Sequence, residues 1–383
     1  MRGVRRSPVG GRGGDGQRDG RTAGRRDRGK GEKGTPMTHI TQSRTDSHEA
    51  AEILDEARAV VGPELRRAVD TLPAPVRRVA RYHFGWEDAA GLPSGANGGK
   101  AVRPALVLAA VHALGGRPER ALRSAAAVEL THNFTLLHDD VIDRDRTRRH
   151  RPTAWTVFGD ADAILAGDAL QSLAQQWLAE DPHPRAGAAV ARLARCVIEL
   201  CAGQHTDCAL EDRAPTEVSL DECLTMAESK TGALLGCACA LGALHADAEP
   251  DQVNALDAFG REAGLAFQLI DDIIGIWGDP SRTGKPAGAD LTARKKSLPV
   301  VAALTSGTAA GAELAERYAG PPEPDELART VALVEAAGGR DWAQAEAADR
   351  MGRAVQQLSL AVPDPARAGG LLSLAEFVTR RSY

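Results

Sequence analysis

A chain of 383 residues that is 43% hydrophobic and 26% charged can bury a sizeable core, and at 4% aromatic its apolar set is chiefly Ala, Leu and Val, which favours helices over sheet. The net charge of −5 is too small to name a partner. No uninterrupted apolar run approaches the ~18 residues of a membrane span, the basic N-terminus lacks the apolar stretch of a secretory signal, and six scattered cysteines make neither a disulfide framework nor a CxxC zinc site. Cys237 and Cys239, set among small apolar residues, read as buried reduced thiols. A soluble, cytoplasmic protein without a membrane span is expected.

Residues 1–36 hold eleven Lys or Arg against four Asp or Glu, and eleven glycines with almost no large apolar side chain. Such a segment buries too little surface to offset its ordering entropy, so residues 1–47 are expected to be a disordered basic extension and 48–383 the folded domain. Arg-Gly runs such as Gly24-Arg25-Arg26 can hold RNA electrostatically, but no aromatic residue is interleaved for stacking; a solvated tail and no nucleic-acid partner are expected. Met37 would also serve as an ordinary start. From Ala50 to Leu72, Ile53, Leu54, Ala57, Val60, Val61 and Leu65 recur at helical spacing. A Gly-rich loop at 87–99 precedes an apolar helix at 102–114. Further helices are expected at 121–144, 161–180, 187–206, 219–245, 251–277, 297–305, 325–337, 341–360 and 366–380. Pro152, Pro182, Pro215, Pro250, Pro280 and Pro363 fall in the gaps as breakers. No stretch demands a strand and no solenoid repeat is present, so the expectation is one all-α domain.

Two acidic clusters end apolar helical runs. In Leu136-Leu137-His138-Asp139-Asp140-Val141-Ile142-Asp143, Asp139 and Asp143 lie one turn apart on a single helix face, and Asp140 is three residues from Asp143. The second cluster is Phe267-Gln268-Leu269-Ile270-Asp271-Asp272. Carboxylates are disfavoured by the dipole at a helix C-terminus, so two such clusters point to a shared site for hard divalent ions, Mg²⁺ in particular. Cations accompany them: Lys100 and Arg103 at a helix mouth, Arg148 and Arg149 after Asp143, Lys230 before Thr231, and Lys285 and Lys295 after the second cluster. Arginine forks and lysine point charges beside metal-binding carboxylates suit a substrate that brings its own anion, such as a diphosphate.

With these motifs in order, the sequence resembles the trans-isoprenyl diphosphate synthases, the polyprenyl synthetase family, over roughly residues 50–383. The matching elements are Asp139-Asp140-Val141-Ile142-Asp143 with Arg148-Arg149, the signature Gly99-Lys100-x-x-Arg103-Pro104, Lys230-Thr231, Gln268, Asp271-Asp272, Lys285, and Asp290-Leu291 to Lys295. The resemblance implies an antiparallel helical barrel around a deep cavity, a homodimer, and the two acidic clusters facing each other across the mouth. It implies about three Mg²⁺ ions per active site. Asp139 and Asp143 would hold two and Asp271 a third, with Asp140 and Asp272 completing the acidic set. Arg148, Lys230, Lys285 and Lys295 would bind the allylic diphosphate, flanked by Thr231 and Gln268; Lys100, Arg103, His132 and Arg149 would bind isopentenyl diphosphate.

Two positions depart from the family pattern. Gly275 stands where a third aspartate of the second cluster is usual, and His150 where a glycine commonly follows the arginine pair. A class I terpene cyclase would share the fold but has no need of a second diphosphate site, and a non-catalytic partner subunit would not retain both clusters. Within the family, Phe134 and Thr135, five and four residues before Asp139, set chain length. One Phe beside a small residue implies geranylgeranyl diphosphate as the main product, with farnesyl diphosphate the alternative. The long extension together with Tyr82-His83-Phe84-Gly85-Trp86 is also similar to actinobacterial polyprenyl transferases carried in encapsulin shells, which makes a shell protein a candidate partner.

Overall fold

Every long apolar segment is helical in the structure, a computed structural model in which residues 37–95, 99–279, 288–320 and 326–379 are described, with side chains from His48 onward. The helices are α1 (Met37–Asp70), α2 (Ala74–His83), α3 (Val102–Ala113), α4 (Leu122–Ile142), α5 (Ala154–Phe158), α6 (Asp160–Ala179), α7 (Ala186–Glu211), α8 (Leu220–Ala227), α9 (Ala233–His245), α10 (Pro250–Trp277), α11 (Ala289–Thr292), α12 (Leu298–Leu304), α13 (Ala309–Ala319), α14 (Leu327–Ala336), α15 (Gly339–Ala361) and α16 (Pro365–Thr379). Among the described residues the sheet content is one two-stranded ribbon, β1 (Thr147–Arg148) paired antiparallel with β2 (Arg151–Pro152). No single described helix is long and apolar enough to cross a membrane.

The all-α expectation holds, with local differences that have physical causes. Helix α1 starts at Met37, and the compact unit starts at Gln42, so the boundary expected after residue 47 falls inside a helix. No Gly or Pro between Met37 and Gly62 is available to stop it. Residues 1–36, expected to be a disordered tail, lie outside the described residues. Pro250 is not in a gap but at the first turn of α10, where its missing N–H costs nothing. The ribbon was not foreseen, because its turn, Arg149-His150, carries no glycine. Both residues are left-handed, φ 52° and 60°, as a tight two-residue hairpin requires. Residues 219–245, expected as one helix, are α8 and α9 separated by a π-helical turn at Glu228–Gly232.

Helix α9 is buried along its whole length, Ala233 through His245, as its apolar sequence on every face demands. It is the central post against which α3 and α10 pack, while α4 lies along α6 and α15 along α10. Glycines let α9 and α10 approach closely: a Cβ on Gly260 would fall 2.7 Å from Gly236 Cα, and one on Gly264 would fall 2.8 Å from Gly232 Cα. That close seam brings the π-turn at the head of α9 against the middle of α10, the two segments that carry Lys230 and Gln268.

Candidate active site

Helix α4 delivers the first acidic cluster. Asp139 and Asp143 share a face, and burial pushes the Asp139 carboxyl up to about 6, against the pull of the Lys230 ammonium and with a further push from Asp143. Asp143 is raised by burial as well. Lys230 reaches them from the π-turn, and its Nζ donates to Asp207 Oδ2 on α7 at 2.6 Å. Burial works against its charge, yet Asp207, Asp139 and Asp143 hold its pKa above the ordinary lysine value. Asp140 differs from its neighbours. It is 1% exposed, Arg148 Nε donates to its Oδ1 at 2.7 Å, and its Oδ2 is buried without a protein partner. One of its oxygens is thus committed to aiming Arg148, which leaves Oδ2 as the oxygen it can offer to a cation.

The second cluster divides in the same way. Asp272 is buried, its Oδ1 accepts from Gln268 Nε2 at 2.8 Å, and its Oδ2 accepts from the Leu298 backbone N–H at 2.9 Å. Gln268 Oε1 in turn accepts from Thr231 Oγ1 at 2.8 Å. The chain Thr231–Gln268–Asp272–Leu298 therefore ties the π-turn, α10 and α12 together. With both oxygens occupied, Asp272 acts as a brace between α10 and α12. Asp271 is the exposed member. Lys295 is opposed by burial but held charged well above the ordinary lysine value by Asp272, Asp290, Asp207 and Asp271. Lys285 lies outside the described residues.

The residues expected to bind isopentenyl diphosphate converge. Lys100, Arg103, His132 and Arg149 line one cavity of about 210 Å³, together with Glu129 and Phe267. Burial lowers the Arg103 pKa, with Glu129 acting against it. Burial, then the charges of Arg103 and Arg149, keep His132 neutral. Glu129 and Phe267 were not foreseen, nor were Asp207 and Phe377, whose ring centroid lies 5.4 Å from Lys100 Nζ. Glu129 had a signal: an acid in the apolar run of α4 must have a buried cationic partner. Phe267 adjoins Gln268 in the second cluster, but nothing marked it as a wall of this cavity; Asp207 and Phe377 lie far away in sequence and had no signal.

Beneath Asp139, Phe134 packs edge-on against His138 with ring centroids 4.8 Å apart, and His138 Nε2 lies 3.0 Å from Ile164 O of α6. Thr135 Oγ1 donates to His132 O at 2.8 Å, one turn from Asp139 on the same face. The Tyr82–Trp86 segment is used inside the fold. Tyr82 Oη donates to Pro152 O at 2.8 Å, Arg151 Nη1 donates to Tyr82 O at 3.0 Å, and the Phe84 and Trp86 rings stack at 4.6 Å. These contacts brace the ribbon that carries Arg148 and Arg149.

A hard divalent cation fits this donor set: all-oxygen, anionic, with a buried, unpartnered Asp140 Oδ2 beside it. Among the described residues no three His, Cys, Asp or Glu side chains close around one point. A cation here would draw its remaining ligands from water and substrate oxygens, as Mg²⁺ does.

Comparison with known proteins agrees with this architecture. Residues 94–334 match the model of the polyprenyl synthetase family. The chain is 45% identical over 335 residues to a (2E,6E)-farnesyl diphosphate synthase of Mycobacterium tuberculosis, covering 86% of this chain and 92% of that protein. It is 47% identical over 332 residues to a geranylgeranyl diphosphate synthase of the same organism, covering 86% and 93%. Among solved structures, a polyprenyl synthetase from Streptomyces coelicolor superposes with a TM-score of 0.81 at 45% identity, covering 85% of this chain and 98% of that one. The geranylgeranyl pyrophosphate synthetase of Pyrococcus horikoshii gives 0.78 at 30% identity, covering 88% and 99%. The chain belongs to the polyprenyl synthetase family and is a short-chain prenyltransferase of the all-α isoprenoid synthase fold.

Proposed function

We propose that the enzyme joins isopentenyl diphosphate to allylic diphosphates in a Mg²⁺-dependent condensation whose main product is geranylgeranyl diphosphate. The observation that carries the reading is the pairing of two anion-binding regions. One is the cavity of Lys100, Arg103, His132 and Arg149; the other is the acidic mouth with Lys230 and Lys295. The adjacent Arg148 and Arg149 link them, one held by Asp140 and the other lining the cavity.

In this reading Asp139, Asp143 and Asp271 hold the cations. When bound, Mg²⁺ supplies Lewis-acid stabilisation of the leaving diphosphate. The protein's own groups do the rest. Lys230, Lys295 and Arg148 offset the negative charge that grows as the allylic C–O bond ionises, from positions already fixed by Asp207, Asp272 and Asp140. Lys100, Arg103 and Arg149 hold isopentenyl diphosphate so that its alkene meets the allylic carbon, and neutral His132 donates a hydrogen bond without adding charge. The apolar walls of α4 and α9 keep water from the carbocation. The proton lost from the adduct passes to the departing diphosphate.

Product length rests on Phe134 beside the small Thr135. The relatives name both farnesyl and geranylgeranyl products at near-equal identity, so the side chains below Asp139 are the better guide. Exposed Ile164 and Leu165 on α6 and Ile198 on α7 support a homodimer. The test is chromatography of dephosphorylated products from dimethylallyl, geranyl and farnesyl diphosphate starters. A C20 alcohol is expected to dominate, and dominance of C30 or longer chains would overturn the assignment. Asp139→Ala, or EDTA, should abolish turnover by several orders of magnitude, each factor of ten being about 1.4 kcal/mol of barrier; near-normal turnover in either would remove the metal role.

A further inference from the structure

The second acidic cluster reads Asp271-Asp272-Ile273-Ile274-Gly275, and the position one turn after Asp271 on its own face has no side chain. The structure shows what fills that space. A Cβ built on Gly275 would overlap Asp290 Oδ2 and lie 2.7 Å from Asp290 Cγ and 3.1 Å from Oδ1. Real Cβ atoms keep van der Waals distance, about 3.5 Å or more, so the Asp290 carboxylate can occupy this notch only because residue 275 is glycine. Asp290 belongs to α11, outside the second cluster, and α11 is tied to Lys295: the Lys295 backbone N–H donates to Asp290 O at 2.9 Å. Asp272 and then Asp290 do most among the acids to hold the buried Lys295 charged.

We propose that Asp290 is the missing member of the second acidic cluster, lodged in the notch over Gly275, and that from there it positions Lys295 for the substrate diphosphate. The inference rests on the reading of Lys295 as a diphosphate-binding group. Asp290 is a positioning residue: it acts through Lys295 and does not touch the reacting atoms. Restoring a side chain at 275 would then harm the enzyme, because it evicts the carboxylate that already serves there.

The experiment is a double-mutant cycle of Gly275→Ala, Asp290→Ala and their combination, read by calorimetric affinity for inorganic pyrophosphate in Mg²⁺ and by KM for each substrate. Each single variant should weaken pyrophosphate binding and raise the allylic KM about tenfold, the scale on which an orienting partner acts, while KM for isopentenyl diphosphate stays within twofold. In the Asp290→Ala background, Gly275→Ala should add less than twofold, since nothing is left to evict. Asp290→Asn keeps the shape without the charge, so it guards against misfolding, and it should lose affinity as Asp290→Ala does. Additive losses in the cycle, equal changes in both KM values, or full affinity in Asp290→Asn would overturn the proposal. Lys295→Ala separates it from its premise: if that variant binds pyrophosphate normally, the diphosphate reading of Lys295 falls and the proposal with it. If Lys295→Ala loses affinity while Asp290→Asn does not, only the positioning role falls.

Discussion

Replacing Gly99 with alanine should damage isopentenyl diphosphate binding without altering any charged group. Gly99 has φ 111°, outside the range an L-residue adopts without strain, and a Cβ there would lie 2.7 Å from Arg149 Nη2 and 3.1 Å from its Cζ. An ordinary contact needs about 3.5 Å or more, so the guanidinium must withdraw by roughly 1 Å. The backbone distortion costs about 1–3 kcal/mol of stability. The displaced guanidinium forfeits a charge-assisted contact worth about 1.5–3 kcal/mol, which at 1.4 kcal/mol per decade is about a 10- to 150-fold rise in KM for isopentenyl diphosphate. The allylic KM should change less than about twofold, because Lys230 and Lys295 are untouched. Initial-rate kinetics with each substrate varied in turn give the two KM values, and a thermal melt reports the strain separately. Arg149→Ala completes the cycle: if Gly99 acts through Arg149, the double variant is no worse than Arg149→Ala alone. A lowered melting temperature with both KM values unchanged would refute the argument, as would a Gly99→Ala loss that adds fully to that of Arg149→Ala.

Three further outcomes are expected. Phe134→Ala should lengthen the product and Thr135→Phe should shorten it toward C15, since Thr135 lies about 6 Å along α4 from Asp139 on the same face; an unchanged product distribution in both would move the floor of the cavity to another wall. Asp207→Asn removes the charge paired with Lys230 at 2.6 Å, so melting should fall, but Mg²⁺-pyrophosphate should stabilise this variant more than the parent because the ligand replaces the lost anion. An equal ligand-induced shift would mean that Lys230 does not face the diphosphate. His150→Gly relieves a left-handed φ of 60° and should stabilise the chain by about 0.5–1 kcal/mol at unchanged kinetics; a lower melting temperature would show that the His150 side chain contributes more than its backbone costs.

What sequence reasoning recovered, and what it missed, follows from how far apart in the chain the interacting groups lie. Asp139 and Asp143 are one turn apart in a helix, so helical periodicity alone places that pair on a face; Lys100 precedes α3, beyond a left-handed Ala101, and meets Arg103 at the cavity outside any helical period. Their neutralising partners obey no such period. Asp207 is 23 residues from Lys230, Glu129 meets Arg103 across two helices, and Asp290 meets Gly275 from a separate short helix. The helix expected over 219–245 failed for a related reason. Its propensities are those of a continuous helix, and the π-turn is favoured by what lies outside it: Thr231 bonds to Gln268 on α10, and Lys230 bonds to Asp207 on α7.

The same distinction separates residues that meet substrate from residues that hold them in place. On the proposed reading Arg148, Lys230 and Lys295 carry the charge a diphosphate requires, and their types and order were readable from the chain. Asp140 and Asp207 bond Arg148 and Lys230, Asp290 is proposed to position Lys295, and each is an acid whose neighbours in sequence do not reveal its task. Asp140 even stands inside a motif whose spacing suggests direct metal binding, yet one of its oxygens accepts from Arg148 at 2.7 Å and its side chain is almost wholly buried. Replacing such a brace should therefore misplace one cation and shift the KM of one substrate. Replacing Asp139, which the proposed reading places on the cations themselves, should stop turnover with both.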